Sequence, residues 1–207
     1  MPRKTGNLLY CINPFIMTGI IILAAGASTR MGAPKQQLIY QGKTLLQRTI
    51  QTALSSGCTP VIVVLGAHAM IISPEVPKEQ VTMIENKDWE EGMSSSIRTG
   101  ISALQKKAPL ATGVIFMVCD QPHVNVELLQ QLMQQKLDTG KGIVASYYKN
   151  TMGVPVLFDK QFFPELLALK GQEGAKKLLV QFEQEAVAVP FPLGEVDVDT
   201  REDYERL

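Results

Sequence analysis

Short apolar runs rich in isoleucine and valine recur along this chain, and segments with helical periodicity lie between them. Polar residues do not alternate with apolar ones inside these runs, which is typical of strands that are buried on both faces of a sheet. The pattern predicts strands over residues 19–25, 61–66, 113–119 and 142–147, with shorter ones over 81–84, 154–158 and 186–189.

The segments between these strands predict helices. From residue 44 to 56, positions three and four apart share one face: Leu45, Leu46, Thr49, Ile50, Ala53 and Leu54. Such a stripe is what a helix packed on one side requires, and Gly57 follows where glycine commonly ends helices. We predict further helices over 94–104, 126–137, 162–169 and 175–182, and Thr200 with Asp203 has the spacing of a capping box that starts another.

Apolar strands that alternate with helices predict the α/β class. We expect a single-domain, Rossmann-like, doubly wound sheet that is mostly parallel, with helices on both faces. In such sheets, ligands bind beyond the carboxyl ends of the strands. Gly26, Gly66 and Asp120 all lie at predicted carboxyl ends, so three loops are expected to converge on one site.

The 207 residues are enough for one substantial core, and we predict one domain over residues 17–207. The start of the chain superficially imitates a signal peptide or membrane anchor. Pro14 interrupts it, however, and no apolar run approaches the length of a membrane span. Because Met17 stands just before the first strand, residues 1–16 are predicted to be a disordered extension or to precede an alternative start, and the protein is expected in the cytoplasm.

Composition excludes some classes of function. The chain has 20 acidic and 20 basic residues, whereas a nucleic-acid binder is expected to carry a basic excess. We therefore expect neither nucleic acid nor membrane as a partner. The three cysteines form no C-x-x-C pair, so a zinc site is not predicted and a reducing compartment is favoured. Cys119 ends an apolar run and is expected to be buried.

The first strand runs into a glycine-punctuated loop that carries two cations, Arg30 and Lys35. Backbone N–H groups and positive charge at one point are what a polyphosphate needs. Five residues separate Gly26 from Gly32 and the lysine comes three residues later, so the loop is neither a Walker loop nor a G-x-G-x-x-G fingerprint. An ordinary glycine turn would account for the glycines but not for the two cations, and we predict a nucleotide site.

Aspartates stand at two further places. Asp120 follows the strand over 113–119, where a carboxylate could hold a Mg²⁺ that bridges nucleotide phosphates. A turn or capping aspartate is the alternative. Asp197 and Asp199 alternate on an extended segment and could face one metal together. We predict Asp120 and Asp199 as the metal ligands, with Asp197 as the fallback for Asp199.

Taken together, these motifs resemble the molybdenum cofactor cytidylyltransferases within the MobA-like nucleotidyltransferases, over residues 19–207. The resemblance implies a fold of the nucleotide-diphospho-sugar transferase type. It rests on the loop of residues 23–35, which fills all nine specified positions of L-A-A-G-x-S-x-R-M-G-x-x-K, and on the following motifs: Asn86-x-x-Trp89-x-x-Gly92-Met93-x-x-Ser96, Cys119-Asp120-Gln121-Pro122, Gly153-x-Pro155, Gly171-x-x-Gly174-Ala175 and Asp197-x-Asp199-Thr200.

The resemblance also implies roles for individual residues. Arg30, Lys35 and Asp120 would be the catalytic residues, with both cations on the triphosphate, while Asp120 and Asp199 would hold Mg²⁺. Residues implied to contact the nucleotide are Leu23, Ala24, Ala25 and Gly26 along the base and ribose, Ser94, Ser95 and Ser96 at a helix start, and Asp120. For the serines, simple N-capping is an equally good interpretation.

The implied reaction is the Mg²⁺-dependent transfer of CMP from CTP to molybdopterin or a related phosphate monoester, with release of pyrophosphate. The product would serve a molybdenum hydroxylase-type oxidoreductase. Ala25 is associated with cytosine in the family, and glycine with guanine. Gln172 stands where the family often has aspartate, which leaves the acceptor open. Alternatives are GTP as donor, a sugar phosphate or methylerythritol phosphate as acceptor, and a non-catalytic chaperone for the finished cofactor.

Overall fold

A computed structural model of the protein describes residues 17–207, so the prediction for residues 1–16 lies outside the described part. Residues 17–207 form nine strands: β1 (Thr18–Ala24), β2 (Ile39–Tyr40), β3 (Lys43–Thr44), β4 (Val61–Leu65), β5 (Thr82–Glu85), β6 (Gly113–Val118), β7 (Ile143–Tyr148), β8 (Thr151–Asp159) and β9 (Ala186–Pro190). They also form seven α-helices: α1 (Leu45–Ser55), α2 (Ala69–Ile72), α3 (Met93–Lys107), α4 (Val126–Thr139), α5 (Phe163–Leu167), α6 (Ala175–Gln181) and α7 (Arg201–Glu205).

Seven strands form one sheet in the order β5-β4-β1-β6-β8-β7-β9. The central strand β1 pairs in parallel with β4 on one side and β6 on the other. Only β8 runs against its neighbours, pairing antiparallel with both β6 and β7 within the described chain. The remaining strands, β2 and β3, form a separate antiparallel hairpin. The predicted mostly parallel, doubly wound sheet is confirmed.

Helices cover both faces of the sheet because the apolar residues of the central strands alternate in direction. Ile20 and Ile22 pack into a core with α1 and α4, whereas Ile21 packs into a second core with α3, α5 and α6. All three isoleucines are fully buried. A strand that is apolar at every position therefore serves two cores, as its sequence predicts.

Every strand and helix predicted from the pattern is present, with ends shifted by a few residues. Thr44 stands at the N-cap of α1, where its hydroxyl accepts from Gln47 N–H at 3.1 Å. The hairpin of β2 and β3 and the short helix α2 were not predicted. Two-residue strands and a four-residue helix are too short to show a period, so the sequence pattern carries no signal for them.

The loops after β1, β4 and β6 meet at the carboxyl edge of the sheet, as predicted. Ala67, after β4, donates its N–H to the Ala25 carbonyl at 3.2 Å. Because β1 lies between β4 and β6, and the chain winds outward in both directions from it, this edge is the topological switch point of the sheet.

Among the described residues, no helix has the length and apolar character needed to cross a membrane.

Candidate active site

The loop after β1 is held open by its own backbone geometry. Ser28 adopts a positive φ of 51° and Gly32 one of 69°. The Ser28 carbonyl accepts from Met31 N–H at 3.0 Å, and its hydroxyl accepts from Lys35 N–H at 3.2 Å. The loop therefore turns between Gly26 and Lys35 and brings the lysine back toward the end of β1.

The side chain of Gln36 holds this loop by hydrogen bonds to its backbone. Its side-chain amide donates to the carbonyls of Ala24 at 3.0 Å and Gly26 at 3.2 Å. Gln36 is 1% exposed, so its hydrogen bonds form away from water, where losing a partner is costly. The sequence analysis did not single out Gln36, although it directly follows Lys35.

Lys35 joins the two predicted metal ligands. Its ammonium group donates to Asp120 Oδ2 and, at 3.0 Å, to Asp199 Oδ1. Arg30 Nη1 lies 3.3 Å from Asp199 Oδ2. Residues separated by up to 169 positions in the chain thus form one ion cluster, and all four were predicted as site residues.

The members of this cluster differ in exposure. The side chain of Lys35 is 18% exposed and that of Asp120 is 20% exposed, whereas the Arg30 side chain is 73% exposed. Burial tends to lower the pKa of Lys35, but the charge of Asp120 and the hydrogen bonds to Asp120 and Asp199 outweigh it and raise that pKa above its usual value. Lys35 is therefore a permanently charged, sheltered cation, and Arg30 is a cation at the mouth of the site.

Two local features carry Asp199 to Asp120. Val198 is fully buried, and its N–H donates to the Asp120 carbonyl at 2.9 Å. On the other side of Asp199, Thr200 caps α7 in a capping box with Asp203, as predicted. Asp199 is fixed between a buried anchor and a helix start, and its carboxylate faces Lys35.

Asp197, the fallback ligand, is exposed. Within residues 17–207 its side chain makes no hydrogen bond or ion pair with the cluster. The two aspartates flank Val198 in sequence, yet the structure brings Asp199 and not Asp197 into contact with Lys35.

The carboxylate pair fits a divalent cation. No group of three or more histidine, cysteine, aspartate or glutamate side chains suited to metal binding occurs in the described part of the chain. Mg²⁺, however, is commonly held by one or two carboxylates together with substrate phosphates. Because Asp120 and Asp199 both reach the single ammonium of Lys35, their oxygens lie within reach of one cation.

The predicted base and ribose segment lies at the end of β1 and just beyond. Ala24 and Ala25 are buried and Gly26 is exposed, while Leu23 is partly buried. A methyl group added at Gly66 would lie 2.6 Å from the Ala25 carbonyl oxygen. The chain therefore packs tightly around Ala25, and Gly66 is required by that close approach.

The three serines lie in the first turn of α3 and are almost fully buried. Ser94 donates its hydroxyl to the Gly171 carbonyl at 2.8 Å, whereas the hydroxyls of Ser95 and Ser96 accept from the Asn86 amide at 2.8 and 3.0 Å. The N-cap residue of α3 is Gly92, so the capping interpretation is wrong. Their nucleotide role stays a prediction.

Two histidines support the site from outside the cluster. His68 Nε2 lies 2.9 Å from the Ala27 carbonyl and ties the loop after β4 to the loop after β1. His123 packs edge-on against Tyr40, with 6.2 Å between ring centroids.

Trp89 is partly buried. Cys119 is 3% exposed, as predicted, and burial followed by the charge of Asp120 raises its thiol pKa to about 12.

A doubly wound sheet with a glycine loop, two cations and paired carboxylates at its switch point is the arrangement expected of a nucleotide-dependent α/β transferase. The MobA-like NTP transferase domain family matches residues 20–187 of this chain. The chain therefore belongs to the MobA-like NTP transferase family and is a nucleotidyltransferase.

Curated relatives span nearly the whole chain. It is 30% identical to the Nicotine blue oxidoreductase of Paenarthrobacter nicotinovorans, over 80% of this chain and 82% of that protein. It is also 30% identical to the Purine catabolism protein PucB of Bacillus subtilis, over 90% of this chain and 94% of that one. The Molybdenum cofactor cytidylyltransferase of Escherichia coli is 23% identical, over 89% of this chain and 92% of its own length.

Solved structures share the fold of this chain. Rv0371c from Mycobacterium tuberculosis superposes with a TM-score of 0.79 at 31% identity, covering 92% of this chain and 96% of that one. Its complex with manganese superposes with a TM-score of 0.74 at 30% identity, covering 92% and 97%. The 4-diphosphocytidyl-2C-methyl-D-erythritol synthase of Anaerococcus prevotii shares the fold at 16% identity, with a TM-score of 0.73 and coverage of 93% and 94%.

Proposed function

We propose that this nucleotidyltransferase moves CMP from CTP to a phosphate monoester, with molybdopterin as the acceptor, and releases pyrophosphate. One observation carries the proposal: Lys35 joins Asp120 and Asp199 into a single cluster beside the glycine loop. A triphosphate needs cations and a metal needs carboxylates, and this cluster supplies both. The Escherichia coli relative named molybdenum cofactor cytidylyltransferase supports the choice of donor and acceptor.

In the proposed reaction, an oxygen of the acceptor's phosphate attacks the α-phosphorus of CTP. The bond from that phosphorus to the bridging oxygen breaks, and pyrophosphate leaves with the bonding electron pair. A phosphate monoester is already ionised, so the reaction needs no general base. Arg30 and Lys35 would offset the charge that develops on the phosphate oxygens, and the loop from Leu23 to Gly26 would align the nucleotide.

Asp120 and Asp199 would hold the Mg²⁺. When bound, the ion would supply positive charge that offsets the negative charge of the phosphate groups and so lowers the barrier to attack. The manganese complex of Rv0371c supports a divalent metal in this fold at 30% identity. Until the nucleotide arrives, Lys35 supplies the positive charge between the two carboxylates.

The choice of CTP over GTP rests on Ala25, which is 7% exposed and packed against Gly66. Its methyl group would narrow the space beside a bound base, and one such group is typically worth about 1 to 3 kcal/mol of discrimination. We therefore expect A25G to reduce the preference for CTP over GTP by about tenfold or more. The measurement is kcat/KM with each nucleotide, and A27G, which removes a methyl group from the same loop, is the control. An unchanged ratio in A25G would remove Ala25 as the determinant.

The acceptor is tested most directly by pyrophosphate release. Wild-type protein with Mg²⁺ is given CTP or GTP and, in separate arms, molybdopterin, a sugar phosphate or methylerythritol phosphate. The proposal expects the fastest release with CTP and molybdopterin. Fast release with another acceptor would show that the enzyme transfers CMP to that acceptor and not to molybdopterin. Gln172, which lies beside Gly92, would then be the first residue to test as the cause of the different acceptor. No release with any pair would favour the non-catalytic chaperone.

The 30% identity to a protein named nicotine blue oxidoreductase makes electron transfer a second candidate function. It predicts reduction of a substrate by an added electron donor, such as a reduced nicotinamide dinucleotide, that is independent of CTP and insensitive to loss of Lys35. Nucleotidyl transfer predicts the reverse on both counts, so assays of wild type and K35Q, each with and without CTP, separate the two functions.

A molybdenum hydroxylase-type oxidoreductase is proposed as the recipient of the product, and the cytoplasm as the compartment. Cys58 and Cys119 are both buried as free thiols, which agrees with a reducing environment.

A further inference from the structure

A cavity of about 320 Å³ lies beside the proposed active site. The hairpin of β2 and β3 and one side of α1 along its whole length form one wall, and the segment that follows Asp120 forms the other. Its polar lining residues include Gln41, Lys43, Arg48, Gln51 and Gln121. The volume is in the range of small-molecule sites, and the proposed transfer reaction uses none of these residues.

The cavity is positively charged. Lys43 and Arg48 line it, and none of its lining residues in the described chain is acidic. Lys43 donates its ammonium to the Gln51 amide oxygen, so both lysine and glutamine are oriented along the wall. No carboxylate among residues 17–207 forms an ion pair with Lys43 or Arg48.

Arg48 is oriented by an aromatic contact, but its guanidinium group has a hydrogen-bond donor that is unpaired among the described residues. Its guanidinium carbon lies 4.8 Å from the centroid of the Tyr40 ring, a cation–π contact that orients the group. Its Nε is buried and has no hydrogen-bond partner in the described chain. A buried donor without a partner is costly and calls for an explanation, and a planar guanidinium of this kind binds phosphate and carboxylate through two donors.

Gln121 gives a second, independent indication. It is 6% exposed, and its amide nitrogen donates to the Tyr148 hydroxyl and the Gly194 carbonyl, both at 3.1 Å. Its amide oxygen is buried and has no partner among residues 17–207. Within the described chain, Arg48 on one wall thus lacks an acceptor and Gln121 on the other lacks a donor, and a hydrogen phosphate ion, which carries acceptor oxygens and an O–H, would satisfy both.

We propose that this cavity binds a small oxyanion-bearing molecule, of the phosphate class, through Arg48 and Lys43. The site is separate from the glycine loop of residues 26–35, but its hairpin wall contacts segments that belong to the proposed active site. His123 packs on Tyr40, and the Tyr204 hydroxyl donates to the Ile39 carbonyl at 2.8 Å. The hairpin that forms one wall therefore touches the segments that follow both Asp120 and Asp199.

Inorganic phosphate is the probe, and amide chemical shifts in ¹H–¹⁵N NMR spectra of the full chain are the readout. We expect saturable shifts at residues 41–52 and 121–126, distinct from any shifts in the loop of residues 26–35. R48Q is expected to weaken this binding by about tenfold or more, because a hydrogen bond to a charged group is lost. R48K, which keeps the charge but not the planar fork, should lie between R48Q and wild type.

The control is K78Q, which removes an exposed lysine that does not line the cavity. It should bind phosphate as the wild type does. The same spectra report whether each variant is folded. Shifts confined to residues 26–35, or equal binding by R48Q, R48K and wild type, would overturn the proposal. Because the readout is binding without CTP or acceptor, it is independent of the transfer reaction.

Discussion

Lys35 occupies the position between two carboxylates that a divalent cation would also seek. Its side chain is only 18% exposed and is bonded to both Asp120 and Asp199, so it would compete with a metal for the same oxygens in the nucleotide-free protein. Binding of a triphosphate would give the ammonium other anionic partners and free the carboxylates. Metal and nucleotide are therefore expected to bind cooperatively.

This competition predicts that K35Q binds Mn²⁺ more tightly than wild type when no nucleotide is present, by about tenfold, because a sheltered positive charge no longer opposes the metal. Electron paramagnetic resonance of free Mn²⁺ measures the affinity. R30Q is the control, since Arg30 is 73% exposed and its effect should be smaller. Weaker Mn²⁺ binding by K35Q would contradict the competition.

At the scale of residues, the sequence singled out the charged side chains that the structure brings together, but not the side chains that hold the loop around them. Arg30, Lys35, Asp120 and Asp199 follow from motif spacing, and the structure joins all four. Gln36 and His68 act on backbone carbonyls of Ala24, Gly26 and Ala27. Such contacts have no sequence signature, because any polar side chain can bind a carbonyl once the fold has brought the two together.

Short secondary-structure elements hold the backbone of the site in position. Helix α7 has only five residues, yet its capping box holds the backbone next to Asp199. The N–H of Asp199 itself donates to Asp203 Oδ2 at 3.2 Å. Hydrogen bonds from the Thr200 side chain and backbone lower the pKa of the Asp203 carboxyl below its usual value. The ionised form of Asp203 is therefore the one that stabilises the fold.

A lowered pKa in the folded protein means that the stabilisation by Asp203 is present above the unfolded value of 3.8 and is lost as the pH falls through the folded value. We expect D203A to have a lower melting temperature than wild type at neutral pH, and the difference to vanish in acid. Thermal unfolding followed by circular dichroism across this range is the measurement. E202A, a change at the exposed neighbour, should show no such pH dependence; an equal response in both variants would contradict the capping role.

The start of α3 is another such junction. Gly92 has a φ of 119°, and a methyl group there would lie 2.5 Å from the Gly171 carbonyl oxygen. The same carbonyl accepts from both the N–H and the hydroxyl of Ser94, at 3.2 and 2.8 Å. The loop that begins at Gly171 is therefore docked directly on the first turn of α3.

G92A should lower the free energy of unfolding by about 1 to 3 kcal/mol, because it adds both backbone strain and a clash. G140A is the matched control: its φ is 65°, but a methyl group there meets no atom within 4 Å. Urea unfolding monitored by fluorescence measures both. Equal losses in the two variants would show that the docking of Gly171 contributes nothing beyond backbone strain.

Over the whole molecule, the apolar runs predicted the class of sheet but not the direction of every strand. A run such as residues 154–158 is buried whether it runs parallel or antiparallel, and β8 proves to be antiparallel to both neighbours. The pairing of β1 with β6 decides the site, because it sets the glycine loop beside Asp120. That pairing is a long-range contact, and it follows from the doubly wound topology rather than from any local pattern.

The central claim is that the cluster of Lys35, Asp120 and Asp199 performs nucleotidyl transfer. Pyrophosphate release from CTP in the presence of Mg²⁺ and acceptor tests it most directly when D199N is compared with D197N, the same change two residues away. We expect D199N to lose about 10²-fold or more in kcat, on the scale of removing one preorganised contact, and D197N to stay close to wild type. Equal rates for the two variants, or full activity in D199N, would contradict the account.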